Sequence, residues 1–309
     1  MQRPNITTNS LALKAPHDYA NAMHGSTFHS QPITALAGLT LCALIASAGL
    51  AEAADASDWM REKYSAARLI GGGQVGASAA PSYRAGIEIK LSPGWKTYWR
   101  HPGDSGVPPR FDFSGSQNLK DATVLWPAPL RFADAGGVSI GYKGGVIFPL
   151  RITALDPAQP VSIKLAMDYA VCEKLCVLAE ARLSLDLNRS GAAHAEVLDA
   201  SERLVPRRVS LGETAPLAIR SVQLERKDRP RVTVTITAPP GVKADLFAEG
   251  PSGEWSLPLP EPVGDQTGTQ RQFAFDLDGM PQGATTAGAM LTFTAVADGA
   301  AIEVTAPLD

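Results

Sequence analysis

The chain has 309 residues, of which 45% are hydrophobic and 19% are charged, and its formal net charge is −3 at pH 7. This balance is typical of a folded globular protein, and the lack of a basic excess argues against nucleic acid as a partner. The 28 glycines and 24 prolines are spread along the chain as turn residues. They predict a fold with many short strands.

The N-terminal region carries an apolar stretch over residues 33–50, followed by the small-x-small sequence Ala-Glu-Ala at 51–53. This arrangement predicts a secretory signal peptide over residues 1–53, with Met23 as an alternative start. A lipid anchor on Cys42 is excluded because Leu41 stands where lipid attachment needs a small residue. No later apolar stretch approaches the roughly 20 residues that span a bilayer. We therefore expect an exported protein with no stable membrane span after cleavage.

The remainder of the chain divides into two β-rich blocks, over residues 54–190 and 213–309. The segment between them, 191–212, contains helix formers without Gly or Pro from Ala192 to Leu204 and is predicted to be a helical linker. Alternating apolar residues favour two stacked β-sandwich modules, an all-β architecture. The predicted strands are 83–91, 123–126 and 145–153 in the first block, and 232–236, 273–277, 291–295 and 302–304 in the second.

Two cysteines, Cys172 and Cys176, flank a three-residue turn between two runs of alternating residues. Apolar side chains occupy the odd positions of 161–171 and 177–187, which predicts a β-hairpin with those side chains in the core. The cysteines occupy even positions, so both are expected on the opposite face, within reach of a partner. Opposite positions of a hairpin have Cα atoms about 5.5 Å apart, which permits a disulfide.

The cysteine pair has three possible roles in an exported protein. A disulfide that closes a loop of about five residues contributes only about 2 kcal/mol in the chain-entropy treatment, against about 4.7 kcal/mol for a hundred-residue loop. A redox-active pair is therefore favoured over a structural disulfide. The third role is a Cu(I) site or copper-resistance accessory function, in which Met167 and a histidine, His101 or His194, join the two sulfurs.

The sequence also carries a string of motifs between residues 94 and 188. They are GWKTYWRHPGDSGVPPRFDFSG, VLWPAP, SIGYKG, FPLRI and DYAVCEKLCVLAEARLSLDL. Over roughly residues 60–190 the chain resembles the N-terminal domain of the DsbD thiol:disulfide interchange proteins, and in particular stand-alone periplasmic relatives. The resemblance implies an immunoglobulin-like sandwich that acts through a redox-active disulfide without another cofactor.

The same resemblance implies roles for the cysteines and a set of partners. Cys176 would form mixed disulfides with partners, and Cys172 would resolve them. Electrons would come from another polypeptide, a membrane-embedded DsbD- or CcdA-like donor or a thioredoxin-like domain. They would pass to periplasmic thioredoxin-fold acceptors serving cytochrome maturation, disulfide isomerisation or copper resistance. The three residues between the cysteines are fewer than in the best-known relatives, so the geometry of the pair is expected to differ.

A cap over the cysteines is also implied by the resemblance. The matching stretch contains Phe132 as the shielding side chain, with Asp134, Gly136 and Gly137 beside it and the glycines as hinges. Packing of Phe132 in the core is the alternative.

Other side chains near the motifs are interpreted more simply. Lys174 is the cation nearest to the cysteines and would lower a thiol pKa. The alternative is that it is a solvated turn residue. Trp95, Tyr98 and Trp99 are interpreted as core and edge packing.

The second block has no cysteine and no cluster of titratable residues, so it is expected to be a docking or spacer domain. If the pair is a structural disulfide, the whole chain would be a non-catalytic docking module.

Overall fold

A computed structural model of the chain describes residues 55–76, 82–104, 106–134, 137–187, 191–226 and 228–308. The predicted signal peptide, with Met23 and Cys42, lies outside these residues. Within them, no helix is both long enough and apolar enough to cross a membrane.

Among the residues that the structure describes, the first sandwich contains eleven strands in two sheets. They are β1 (Met60–Arg61), β2 (Ser65–Val75), β3 (Ser82–Leu91), β4 (Lys96–Gly103), β5 (Arg110–Asp112), β6 (Leu119–Val124), β7 (Leu130–Asp134), β8 (Gly137–Lys143), β9 (Gly145–Ala154), β10 (Val161–Cys172) and β11 (Cys176–Leu187). One sheet has the order β1-β2-β3-β9-β6, and the other has the order β11-β10-β4-β8-β7, with β5 also paired to β10.

The predicted strands of the first block are present as β3, β6 and β9, and the cysteine hairpin is β10 with β11. The odd-numbered residues of β10 are buried in the core, as their alternation predicts. Strands β4 and β8, which the alternation pattern does not predict, occupy the middle of the second sheet. They bring the aromatic motif at 95–99 beside the cysteine hairpin.

Helix α1 (Ala195–Glu202) packs on the first sandwich within the segment predicted as a linker. Leu198 is fully buried against Gly72 and Gly86, and a Cβ atom at either glycine would overlap the leucine side chain. Glu202 accepts hydrogen bonds from Arg84 at 2.9 Å and from Arg151 at 2.5 and 2.8 Å. The helix is thus held by both an apolar contact and ion pairs.

In the described ranges 191–226 and 228–308, the second sandwich has eight strands in two sheets. They are β12 (Arg207–Arg208), β13 (Ala218–Glu225), β14 (Arg231–Thr237), β15 (Ala244–Glu249), β16 (Glu261–Val263), β17 (Gln270–Asp276), β18 (Met290–Ala297) and β19 (Ala300–Pro307). The sheet orders are β12-β19-β18-β15 and β13-β14-β17-β16. The alternating runs predicted from the sequence fall in β14, β17, β18 and β19, although β17 ends one residue earlier than predicted. An all-β fold of two sandwiches is confirmed.

The two sandwiches fall within one compact unit and share apolar contacts. Phe247 and Leu259 of the second sandwich belong to the buried cluster of the first. The Phe247 ring lies 5.7 Å from the Trp99 ring of β4, measured between centroids. The second sandwich therefore packs against the core side of the sheet that contains the cysteine hairpin.

Candidate redox site

The site is built on the end of the β10–β11 hairpin. The twelve cross-strand pairs run from Val161 opposite Leu187 to Cys172 opposite Cys176. The two cysteines form a disulfide with an S–S distance of 2.03 Å, and their Cα atoms are 4.1 Å apart. The predicted opposition of the cysteines is confirmed, although their Cα atoms are closer than the expected 5.5 Å.

The two sulfur-bearing residues differ sharply in exposure. Cys176 is exposed, because β11 is at the edge of its sheet and has β10 as its neighbour. Cys172 is only 2% exposed. The prediction that both cysteines are within reach is therefore wrong for Cys172. Its even-numbered position correctly predicts the outer face of the sheet. On that face, however, Tyr98 of the adjacent strand β4 covers it.

Tyr98 makes the most direct contacts with the sulfurs. Its hydroxyl donates a hydrogen bond to Sγ of Cys172 at 2.8 Å and lies 3.4 Å from Sγ of Cys176. The phenol is buried, and Gly106 packs so closely on the ring that a Cβ atom there would overlap it. A hydrogen bond of 2.9 Å from Oγ1 of Thr97 to the carbonyl of Ala170 fixes β4 against β10.

All three members of the aromatic motif pack in the protein, and Tyr98, which clusters with Ala170 and Cys172, contacts the sulfurs as well. Trp99 is fully buried in the core, and Trp95 stacks on Tyr64 with 3.7 Å between ring centroids. Tyr98 differs because alternation along β4 turns it to the face opposite Trp99. Alternation along β4 is the sequence signal that could have identified Tyr98, because it places Tyr98 on the same face of the sheet as Cys172 of the neighbouring strand.

Two lysines lie on the same face beside the disulfide. Cross-strand pairing forms a row in which Cys176, Cys172, Lys96 and Lys143 follow one another across β11, β10, β4 and β8. Lys96 is 6% exposed, whereas Lys174, the cation chosen from the sequence, is an exposed turn residue. A nearby positive charge favours the thiolate form of a cysteine. Lys96 is the cross-strand neighbour of Cys172, which makes it the candidate for this effect in the folded protein.

Phe132 lies over the two lysines. The ammonium groups of Lys96 and Lys143 are 4.9 and 4.8 Å from its ring centroid, and Phe132 is 8% exposed. Like charges directly opposite on neighbouring strands repel each other, and the electron-rich ring face offsets that repulsion. Phe132 thus forms one cluster with Lys96, the cross-strand neighbour of Cys172, and with Lys143 of the next strand.

The predicted cap stretch forms a β-hairpin rather than an open loop. Phe132 is inside β7, and Asp134 ends that strand opposite Gly137, the first residue of β8. Gly137 has a φ of +120°, and a Cβ atom there would lie 2.7 Å from a carboxylate oxygen of Asp104. Gly136 lies outside the described residues. Whether this hairpin opens and closes over the sulfurs remains a prediction.

The candidate Cu(I) ligands are not brought together. Met167 is fully buried in the core, and its position, five residues from Cys172 on the same strand, places it on the opposite face. His101 is on β4, and His194 immediately precedes α1. Across the described ranges, no group of three or more His, Cys, Asp or Glu side chains has a spacing suited to a metal ion.

Burial also changes the titration of two groups on the strands beside the site. Removal from water raises the pKa of Tyr142 well above its ordinary value, and its hydroxyl donates a 2.9 Å hydrogen bond to the carbonyl of Pro127. Burial lowers the pKa of His101 below its ordinary value, despite the attraction of Glu249. Both side chains are therefore uncharged near pH 7.

The first sandwich is immunoglobulin-like, with a disulfide at the tip of its edge hairpin. Residues 73–188 match the family model described as the N-terminal part of the thiol:disulfide interchange protein DsbD. The resemblance to that family is thus confirmed for the segment that contains β3 to β11 and both cysteines.

Among solved structures, the chain is similar in fold to the N-terminal periplasmic domain of ScsB from Proteus mirabilis. The TM-score is 0.65 at 23% sequence identity, and the likeness covers 82% of this chain and 98% of that one. Because 82% is more than the first sandwich alone, the shared fold includes the second sandwich. No curated protein sequence matches the chain.

Proposed function

We propose that this chain is a periplasmic thiol:disulfide exchange protein that relays reducing equivalents from a membrane reductase to periplasmic thiol proteins through Cys172 and Cys176. The observation that carries the proposal is the asymmetry of the disulfide. One sulfur is exposed on an edge strand, and the other is buried and accepts a hydrogen bond from Tyr98. A pair that served only as a staple would close a short loop and stabilise the fold by only about 2 kcal/mol.

The first half of the cycle loads the protein with two electrons. A donor thiolate attacks Sγ of Cys176, the S–S bond breaks, and the bond electrons leave with Sγ of Cys172 as a thiolate. The Tyr98 hydroxyl and the positive charge of Lys96 stabilise that thiolate. The second thiol of the donor then attacks its own sulfur in the mixed disulfide and releases Cys176. The donor is left oxidised, and the pair is reduced.

The second half returns the pair to the disulfide. The Cys176 thiolate attacks a disulfide of the acceptor and releases one acceptor sulfur as a thiolate. Cys172 then attacks Sγ of Cys176, re-forms the 172–176 disulfide and frees the reduced acceptor. The exposed and buried positions thus support the roles that the resemblance implies, with Cys176 as the exchanging thiol and Cys172 as the resolving thiol.

The location and partners follow from likeness to other proteins and belong to the proposal. The sequence resembles an exported protein at its N-terminus, and the structural neighbour is described as a periplasmic domain. The donor would be a membrane-embedded DsbD- or CcdA-like protein or a thioredoxin-like domain. The acceptors would be periplasmic thioredoxin-fold proteins.

The test is to trap the mixed disulfide with a defined partner. Reduced Cys172→Ala protein is mixed with an oxidised thioredoxin-fold protein, and the products are separated without reductant and identified by mass. We expect a stalled adduct on Cys176, and no adduct with the Cys176→Ala variant. The proposal fails if neither variant forms an adduct and if reduced thioredoxin-fold proteins leave the wild-type disulfide intact.

A further inference from the structure

Strand β11 leaves one side of its backbone unpaired. It is at the end of the strand order of its sheet, and β10 is its one strand partner among the residues that the structure describes. The pairing with β10 runs through all twelve residues of β11 without a bulge or a proline, so the free edge is long and regular. Such an edge offers a row of N–H and C=O groups to another strand. In β11 this row begins at Cys176, the exposed cysteine.

The space beside this edge is open. A groove of about 470 Å³ borders residues 182–186 of β11, and residues 56–60 form its other wall. That wall does not pair with β11, because β1, which contains Met60, pairs with β2 of the other sheet. The groove therefore leaves room for a strand from another molecule.

The outer face of β11 carries a charge pattern that is unbalanced in a single chain. Cross-strand pairing places Arg110 of β5, Asp168 of β10 and Glu180 of β11 in one row. The two carboxylates are thus direct neighbours, which is unfavourable, and the position beyond Glu180 is the free edge. Arg182 of β11 reaches Glu180 at 3.3 Å and Asp168 at 3.5 Å, in exposed pairs. One arginine thus serves two carboxylates, and a further cation beside Glu180 would balance the row.

A second copy of β11 supplies that cation. Two antiparallel strands related by a two-fold axis keep their apolar faces on the same side of the sheet only when one residue lies opposite its own copy. With Ala181 in that position, Glu180 lies opposite Arg182 of the second copy, and Arg182 lies opposite Glu180 of the second copy. A shift of the axis by one residue would instead oppose two glutamates or two arginines. The charges therefore favour this register over its neighbours.

We propose that two copies of this chain associate through their β11 strands, antiparallel about Ala181, to form a dimer in which one sheet continues across the first sandwich of each copy. The pairing extends from Cys176 to Asp186 and leaves Glu180 and Arg182 on the exposed outer face. In this register Asp186 of the second copy lies opposite Cys176. The inference goes beyond the proposed function and does not depend on it, since the strand edges pair whether or not the disulfide exchanges.

Reversal of the charges at positions 180 and 182 tests the proposed register. Glu180→Arg places only arginines around the axis of a dimer, and Arg182→Glu places only glutamates there, so each variant alone should be monomeric. In an equal mixture of the two variants, every arginine at these positions lies opposite a glutamate, so the mixture should dimerise. Sedimentation equilibrium over a range of protein concentrations measures the mass. We expect the wild type and the mixture to approach twice the mass of one chain.

Lys164→Glu is the matched control. It makes the same change in net charge as Arg182→Glu on the same face of the hairpin, but it is on β10 and not on the edge strand. It should dimerise as the wild type does. Alkylation of Cys176 in reduced protein gives a second measure of the register, because a carboxylate beside a thiol disfavours the thiolate. We expect the rate in the mixture to be about two- to threefold below the mean of the two variants measured alone.

Three results would overturn the inference. A wild type that stays monomeric at every concentration would mean that β11 does not pair with itself and that its edge is left for a different protein. Dimers of either variant alone, or a mixture that stays monomeric, would mean that the copies associate through another surface or register. An unchanged alkylation rate in a dimeric mixture would mean that Asp186 of the second copy is not beside Cys176. Mixed-disulfide trapping is measured in parallel, so that failure of the relay function is seen separately from failure of the dimer.

Discussion

The hydroxyl of Tyr98 and the Sγ atom of Cys172 are 2.8 Å apart, in a hydrogen bond that joins strands separated by 74 residues in the chain. The donor is a neutral phenol, and the acceptor becomes a thiolate whenever the disulfide is opened at Cys176. Hydrogen bonds to charged acceptors are stronger than those to neutral ones. The contact therefore stabilises the reduced pair more than the oxidised pair.

Removal of this hydroxyl should slow disulfide opening. We expect Tyr98→Phe to lower the rate at which dithiothreitol reduces the disulfide by about tenfold, since a hydrogen bond to a charged group contributes about 1.5–3 kcal/mol and only part is present in the transition state. Stopped-flow reduction of oxidised protein measures the rate. Tyr142→Phe is the matched control, because it also loses a buried hydroxyl, which bonds the Pro127 carbonyl and not a sulfur. Equal slowing in both variants would contradict the assignment.

The Lys96 charge should lower the thiol pKa of the reduced pair. Replacement by methionine, which keeps most of the apolar length, should raise the midpoint of the alkylation pH profile by about one pH unit, because a nearby cation favours the thiolate. The midpoint is the informative quantity, since a change in access alters the plateau rate but leaves the midpoint in place. Lys164→Met, an exposed lysine of the same hairpin, should leave the midpoint unchanged. A midpoint that does not move in Lys96→Met would remove the lysine from the mechanism.

Gly106 should be required to keep Tyr98 against the sulfurs. Its φ of +149° disfavours other residues, and a Cβ atom would overlap the phenol ring. Gly106→Ala should lower the free energy of unfolding by about 1–3 kcal/mol and slow disulfide reduction as Tyr98→Phe does. Gly144→Ala, at a φ of +75° with open space around the Cβ position, carries backbone strain without moving Tyr98. Slower reduction in Gly144→Ala would show that strain alone affects the site.

The ion pairs of Glu202 should make the attachment of α1 dependent on pH. Hydrogen bonding to Arg151 lowers the pKa of Glu202 below its ordinary value, and Arg84 acts in the same direction. A carboxyl whose pKa is lower in the folded state stabilises the fold above its unfolded pKa and loses that contribution as pH falls through the folded value. Glu202→Gln should therefore lower the free energy of unfolding by about 1 kcal/mol at pH 7.

That difference should shrink as the pH falls below the ordinary glutamate pKa of about 4.3, because the unfolded chain and then the folded carboxyl take up a proton. Urea unfolding at pH 7 and pH 3.5 measures both values. Glu180→Gln, in an exposed pair with Arg182, is the control and should change the free energy by less than about 0.5 kcal/mol. A Glu202→Gln effect of the same size at both pH values would mean that the carboxylate charge is not what holds the helix.

The cysteine hairpin could be predicted because its information is local. Alternating apolar residues on both arms set the strand period, and the three-residue turn sets which residues face each other. Those two features suffice to place Cys172 opposite Cys176, as the structure confirms. The same local signal identified strands in both sandwiches, and the string of motifs identified the family likeness.

The surroundings of the hairpin could not be predicted in the same way. The even-numbered position of Cys172 places it on the outer face of the sheet, but it does not specify which residue covers that face. That depends on β4 and β5 sharing the free edge of β10, with β4 beside the cysteine and β5 beside Met167. Lys174, close in sequence, turned out to be solvated, while Lys96, distant in sequence, pairs directly with Cys172.

The sequence by itself determined the two sandwiches, the hairpin and the opposed sulfurs, because strand alternation and turn length are properties of neighbouring residues. Only the tertiary structure decided that Cys172 is buried beneath Tyr98 while Cys176 stays exposed, and that Lys96 is the cross-strand neighbour of Cys172. Those relations depend on which distant strands pair and which faces pack together. They are set by the burial of the whole core and not by any local pattern.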